Sequence, residues 1–251
     1  MNKTTKKYTI INYKGGTGKT CILVNIAHYL SKKGFKVLIV DTDPQGSTSY
    51  HLGIKASNTL YDVITNKKPI EKCITKARKN LDIIISNERL FPAEIYMHQQ
   101  RNREKILIDR LKKLNGKYDY ILLDCSPSIN LMNQNALLYS TNVLIPVSME
   151  YMSLVGVKQL INNIHLLNKT FKKTIKVSKI IPTFYDKHRK KSKSVLQSLE
   201  RVFEEFLSTP IRSSIAISEA AGFGKTIFEF DPKSKAANDF KKLSEEVINH
   251  E

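Results

Sequence analysis

Short, continuously apolar runs alternate along the chain with longer stretches in which apolar residues recur every three or four positions. The runs YTIIN (8–12), VLIVD (37–41), LDIIIS (81–86), YDYILLD (118–124), NVLIPVS (142–148) and VSKIIPTF (177–184) read as strands. They are apolar throughout rather than alternating, which predicts strands buried on both faces, as in a parallel sheet between two helical layers. One helical stretch covers 20–33 and ends at Gly34, because glycine accepts the left-handed backbone of a C-cap. A second covers 194–207, with Val195, Leu199, Val202 and Phe206 on one stripe. A third covers about 236–249, with Ala236, Phe240, Leu243 and Val247 on a single face. The alternation predicts an α/β fold, a mostly parallel twisted sheet covered by helices on both faces. With no linker and no internal repeat, residues 1–251 read as one domain.

Composition narrows the class. With 41% hydrophobic and 25% charged residues the chain can bury a sizeable core. No apolar run reaches the roughly 18 residues a membrane helix needs, and the start, MNKTTKKYTI, has no apolar core of signal-peptide length. Cys21, Cys73 and Cys125 are isolated, without metal-ligand spacing, which fits reduced thiols in a cytoplasmic protein. The six histidines also lack ligand spacing. The charge is less ordinary: 41 Lys and Arg against 23 Asp and Glu give +18. An excess of that size points to a polyanion, since neutralising phosphates releases condensed counterions.

Three motifs carry chemistry. The first is NYKGGTGKT (12–20), set between a strand and a helix. It ends as a phosphate loop does, on Gly18, Lys19 and Thr20, but has Tyr13 where the opening glycine of the common pattern stands. Backbone N–H groups of Gly15, Gly16, Thr17, Gly18, Lys19 and Thr20 would wrap a β-phosphate at the positive end of the helix. Lys19 would bridge the β- and γ-phosphates, and the Thr20 hydroxyl would ligate Mg²⁺. The second motif, VLIVDTDPQG (37–46), delivers Asp41 and Asp43 to the carboxyl end of a strand, where open α/β sheets bind ligands. One carboxylate can orient a Mg²⁺-bound water and the other the attacking water. The third, YDYILLDCSPS (118–128), ends a strand in Asp124, suited to holding Mg²⁺, whereas Asp119 before it reads as solvated.

KGGTGKT, DTDPQG, DCSPS and the later ISEAAGFGKTIFEFDPKSKAANDF together resemble the ParA/Soj-type partition ATPases of the deviant Walker A, MinD/ParA superfamily. The similarity runs from about residue 8 to 248 and matches the short type, without an N-terminal helix-turn-helix. The resemblance implies ATP and Mg²⁺ as ligands and an ATP-dependent sandwich homodimer. In that dimer a signature lysine, here Lys14, reaches the partner's nucleotide, as an arginine finger does. It further implies close backbone approach at Gly15 and Gly16, a hydrolytic role for Asp43 with Asp41 as the other switch carboxylate, and slow intrinsic turnover. Cys21 stands where many relatives have a threonine that reaches the α-phosphate; a thiol is the weaker donor.

For a partition ATPase the excess charge has a use. Lys187, Arg189, Lys190, Lys191 and Lys193 crowd the segment DKHRKKSKS (186–194), read as a loop, and Arg212 is a second candidate. The resemblance assigns such residues to sequence-independent DNA contact and implies a ParB-like centromere-binding partner, nucleoid association and no membrane. No aromatic interleaving suggests base stacking. Two alternatives are weighed. A MinD-like membrane-cycling ATPase would end in a basic amphipathic helix, but the end here, KKLSEEVINHE, carries Glu245, Glu246 and Glu251. A nonspecific DNA-binding protein with a degenerate nucleotide site would not need Lys19, Thr20, Asp43 and Asp124 intact.

Overall fold

A computed structural model describes residues 4–249. In chain order its strands are β1 (Lys6–Ile10), β2 (Val37–Asp41), β3 (Thr75–Arg78), β4 (Leu81–Ile84), β5 (Tyr120–Asp124), β6 (Asn142–Ser148) and β7 (Lys176–Thr183). The helices are α1 (Lys19–Lys32), α2 (Ser47–Leu52), α3 (Leu60–Ile64), α4 (Leu90–His98), α5 (Ile106–Leu111), α6 (Leu131–Tyr139), α7 (Ser153–Phe171), α8 (Lys190–Phe203), α9 (Ile215–Gly222), α10 (Ile227–Phe230) and α11 (Lys235–Asn249). The sheet order is β3-β4-β2-β5-β1-β6-β7, and only β3, at an edge, runs antiparallel.

Both faces of the sheet are covered. Leu38 and Val40 of β2 and Ile121 and Leu123 of β5 pack into one core, while Val37, Ile39, Tyr120 and Leu122 pack into another, as the two-residue period of a strand requires. The first core holds Leu107 of α5, Leu137 of α6 and Leu160 of α7; the second holds Ile26 of α1 and Phe240 of α11. Helix α1 ends as the sequence predicts. Gly34 (φ 94) follows its C-cap, and the N–H groups of Gly34 and Phe35 reach the carbonyls of Ser31 and Leu30.

Three expectations need correction. Residues 190–193 are the first turn of α8 rather than loop, and Ser192 is buried there. The inward stripe of α8 is accordingly Val195, Leu199 and Phe203, while Val202 is 44% exposed and Phe206 lies in the following 3-10 turn. Asp119 is buried rather than solvated: its carboxylate accepts the Lys36 N–H at 2.8 Å and so ties the starts of β2 and β5 together. The edge strand β3 has no counterpart among the predicted strands. Its sequence, TKAR, is polar because an edge strand faces water.

The register of the central strands positions the site. Ile10 and Asp41 each pair across from Asp124, so the loop after β1 and both aspartates open at one end of the sheet. Helix α2 follows through Gly46, left-handed at φ 63. A Cβ on Gly46 would lie 2.7 Å from the Ser86 carbonyl oxygen, closer than carbon and oxygen can stand. Gly46→Ala is expected to lower unfolding free energy by about 1–3 kcal/mol, read by urea denaturation with an unchanged m-value. Gly34→Ala, with no atom within 4 Å of the added carbon, should cost less.

Candidate functional site: a phosphate loop over paired aspartates

The loop leaving β1 is shaped by its own polar groups. Buried Asn12 donates from Nδ2 to the Pro146 carbonyl at 2.7 Å, and its Oδ1 accepts the Lys14 N–H at 3.0 Å, fixing where the chain turns. Gly16 and Gly18 have φ of 69 and 84, which only glycine adopts without strain. Helix α1 then starts at Lys19 with no acidic residue in its first turn, and among the described residues no side chain caps it. Its first N–H groups are thus free to bind an anion at the positive end of a helix dipole. Lys19 is buried and folds back so that Nζ donates to the Lys14 carbonyl at 3.2 Å. Burial holds its pKa below the usual lysine range, opposed by the negative charge of Asp124.

Asp124 lies at the centre of the site. Its Oδ2 accepts hydrogen bonds from the Thr20 hydroxyl at 2.6 Å and the Thr48 hydroxyl at 2.9 Å. Its Oδ1 is buried and, among the described residues, has no hydrogen-bond partner. Burial pushes its pKa up to about 6 against the lowering effect of those hydroxyls. Asp41, fully buried beside it, is raised well above the carboxylate range by burial first and by Asp124 second. The Asp41 carboxylate accepts the Asp43 N–H at 3.0 Å and the Thr48 N–H at 3.2 Å. Asp43 stands at the rim of the cavity, where its Oδ1 accepts the Gln45 N–H at 3.0 Å. An unpartnered buried oxygen on Asp124, with the Thr20 and Thr48 hydroxyls against the other oxygen of the same carboxylate, forms an oxygen donor set that fits a hard divalent cation. A cavity of about 560 Å³ runs from Gly16 through Asp43 to Phe184 and Ile217, large enough for a nucleotide.

Lys14 takes no place in this cavity. Its side chain, 39% exposed, makes an ion pair with Glu150 at the end of β6. A Cβ built on Gly15 would meet the Pro127 side chain at 4.0 Å, and nothing lies within 4 Å of one built on Gly16. Thr17 is buried, its carbonyl accepting the Thr183 hydroxyl at 2.9 Å. Cys21 lines the cavity one position after Thr20, and its sulfur accepts from Asn25 at 3.7 Å. Tyr13 turns to the first core, its hydroxyl accepting from Asn163 at 3.0 Å.

Lys187, Arg189, Lys190, Lys191 and Lys193 are all exposed around the start of α8. Arg212 differs from them. Its guanidinium makes a bidentate ion pair with Asp239, at 2.6 and 2.8 Å, which already matches its charge. Sequence reading missed Thr48 and Glu150. Thr48 follows DTDPQG closely enough to be considered, but only the fold shows its hydroxyl on Asp124; Glu150 lies 136 residues from Lys14 and carries no local signal. It also missed Phe184, which holds φ 56 and sets its ring beside Gly18.

The AAA domain family matches residues 5–177. The chain is 33% identical to the chromosome partitioning protein ParA of Myxococcus xanthus over 96% of this chain and 87% of that protein. It is 34% identical to the sporulation initiation inhibitor protein Soj of Bacillus subtilis over 96% and 98%. Among solved structures, cobyrinic acid a,c-diamide synthase from Mycobacterium smegmatis, with a bound ATP analog and magnesium, superposes with a TM-score of 0.84 at 25% identity over 98% and 95% of the two chains. One fold can host more than one reaction, as the synthase illustrates, so the likeness in sequence decides the family. Matched nearly end to end at about a third of positions to relatives that include a chromosome partitioning protein, the chain belongs to the ParA/Soj-type partition ATPases.

Proposed function

We propose that the protein binds ATP with Mg²⁺, closes with a second copy of itself into a sandwich dimer, and in that state holds nonspecific DNA until hydrolysis releases it. The observation that carries this reading is the division of labour between two lysines. Lys19 is folded into its own loop, whereas Lys14 stays out on the rim, within reach of another chain. The ATP analog and magnesium bound by the M. smegmatis synthase on the same fold support the choice of ligands.

Residues of this chain divide the work. The α1 amides and Lys19 hold phosphate oxygens. Thr20 and Asp124 would hold Mg²⁺, with Asp43 beside them, and the metal when bound would neutralise charge building on the phosphates. Asp43, on the rim with Asp41 fixing its backbone N–H, orients the water that attacks the terminal phosphate. Lys14, freed from Glu150, supplies its charge to the partner's nucleotide, and the side-chain-free surface of Gly15 and Gly16 lets the two loops approach. Such a cycle has slow intrinsic turnover and is stimulated by a ParB-like centromere-binding protein, on the nucleoid of the cytoplasm. The described chain works in it as one P-loop ATPase domain.

The DNA surface is assigned to the start of α8, where Lys187, Lys190, Lys191 and Lys193 are exposed. Arg189 shares its charge with Asp186 at 3.1 Å. Arg212, already matched by Asp239, is left out. The membrane-cycling alternative loses support because Phe240, Leu243 and Val247, the apolar stripe of α11, are buried in the second core and leave no face for lipid. Among the described residues no helix is long and apolar enough to cross a membrane.

Three measurements test this reading. Changing Lys187, Arg189, Lys190 and Lys191 together to alanine should reduce the log–log salt slope of ATP-dependent DNA binding by about 3 to 4 for each subunit in contact with DNA, since each lost phosphate contact removes about 0.9. An unchanged slope in a filter-binding series would remove the patch. Lys14→Ala should keep nucleotide binding yet lose the ATP dimer in size-exclusion chromatography, and stimulated turnover should fall by at least ~10³-fold. Asp43→Ala should retain ATP and DNA while its phosphate release falls by ~10²–10⁴-fold, the scale of one positioned catalytic group.

A further inference from the structure

Helix α2 carries Thr48, whose hydroxyl and N–H bind Asp124 and Asp41, so the placing of α2 decides how those carboxylates are held. The helix is only six residues long and is bounded by two left-handed glycines, Gly46 (φ 63) and Gly53 (φ 66). Such ends can act as hinges that let it shift as a unit. Its anchor comes from the far edge of the sheet. The Arg78 Nη2 donates to the carbonyl of Leu52, the last residue of α2, at 3.3 Å and to the Gly224 carbonyl at 2.9 Å. Nε donates to Glu229 at 2.6 Å, and Nη1 to the Ala77 carbonyl at 2.8 Å. Every nitrogen of the guanidinium is thus in use.

Independent features frame this contact. The ladder between β3 and β4 shifts register between Lys76 and Arg78, leaving Ala77 without a partner across it. A bulge of this kind re-aims the side chain beside it, here that of Arg78. Gly53 and Gly224 touch through their backbones: a Cβ on Gly224 would lie 3.0 Å from the Gly53 Cα. Glu229 accepts the Thr226 N–H at 2.9 Å in the capping box of α10, and the Thr226 hydroxyl meets His28 of α1 at 2.6 Å. A continuous path therefore runs from Asp124 through Thr48 and α2 to Arg78, and on to residues 224–231.

The geometry points to Arg78 as a positioning residue that locks α2 and the 224–231 segment into one body, so that a nucleotide-driven shift of α2 moves that segment with it. This rests on the reading of Asp41 and Asp124 as the metal and phosphate end of the ATP site. The segment leads directly into α11, whose first turns carry Lys235 and Lys241 beside Lys233 around a basic hollow of about 730 Å³ that also includes Lys32 and Lys33. A change at the phosphates thereby reaches a cationic surface remote from Lys14. A lysine at position 78 could meet Glu229 but could not also span to the two carbonyls, because its donors radiate from one nitrogen whereas a guanidinium spreads them over three.

Amide hydrogen exchange of the full chain, nucleotide-free and with Mg²⁺ and a non-hydrolysable ATP analog, tests the tie. In the wild type, nucleotide should slow exchange at both 47–53 and 224–231. In Arg78→Met, 47–53 should still respond, whereas the response at 224–231 should fall at least fivefold; Arg78→Lys, which keeps the stem and charge if the methionine variant folds poorly, should show the same separation. A purely structural role would instead speed exchange in 224–231 in both states and leave the nucleotide-dependent difference. The inference is overturned if either variant keeps both responses at wild-type size, or if wild-type 224–231 ignores nucleotide while 47–53 responds. No response at 47–53 in the wild type would overturn the nucleotide site itself, and this inference with it.

Discussion

The Asp124 carboxylate is the interaction on which the site is built. Strand register sets it beside Asp41 and opposite the end of β1; the Thr20 hydroxyl ties it to the phosphate loop, and the Thr48 hydroxyl ties it to α2. One buried carboxylate, through a single oxygen, thus ties β5 to two segments that are far from it in sequence. Burying two carboxylates side by side is unfavourable, because low dielectric penalises charge and the Asp124 charge raises the proton affinity of Asp41. Positive charge offsets that cost: Lys19 supplies it on one side, and a divalent cation would supply it on the other.

The same constraint explains the division between inner and outer lysines. Lys19 is buried close to Asp124 and is held there by the loop, so it can serve only its own chain. Lys14 is kept out of that field by an exposed ion pair with Glu150. An exposed pair contributes little stability, since water screens both charges and two long side chains lose freedom. Glu150 can therefore release Lys14 at small cost when a better anion is presented. Nothing in the fold requires a second cation on the rim; a second subunit would.

Much of this was legible in the sequence because it depends on local rules. Buried parallel strands read as unbroken apolar runs, so β2, β5 and β6 stood out, and Gly34 and the stripe of α11 behaved as glycine chemistry and helical periodicity predict. The loop residues and Asp41, Asp43 and Asp124 were legible because a phosphate loop and strand-end carboxylates occupy fixed places in this architecture. What escaped lies in long-range geometry. Thr48 matters only because α2 folds back over Asp124, and Glu150 only because β6 ends near the loop. Arg78 sits in a polar edge strand with no apolar signature, aimed by a register shift that no single-strand pattern encodes. The loop drawn at 190–193 failed for a related reason: a charged run looks like loop, but here it forms the solvent side of a helical turn whose inner side is Ser192.

The central claim is that Lys14 completes the site of another chain, and subunit mixing tests it most directly. Lys14→Ala and Asp43→Ala chains, each deficient alone, are combined in equal amounts and stimulated ATP turnover is measured. In a mixed dimer the site of the Lys14→Ala chain keeps its own Asp43 and receives Lys14 from the other subunit, so turnover should appear that neither variant shows by itself. A mixture no more active than the two separate variants would place Lys14 in its own chain's site and contradict the account.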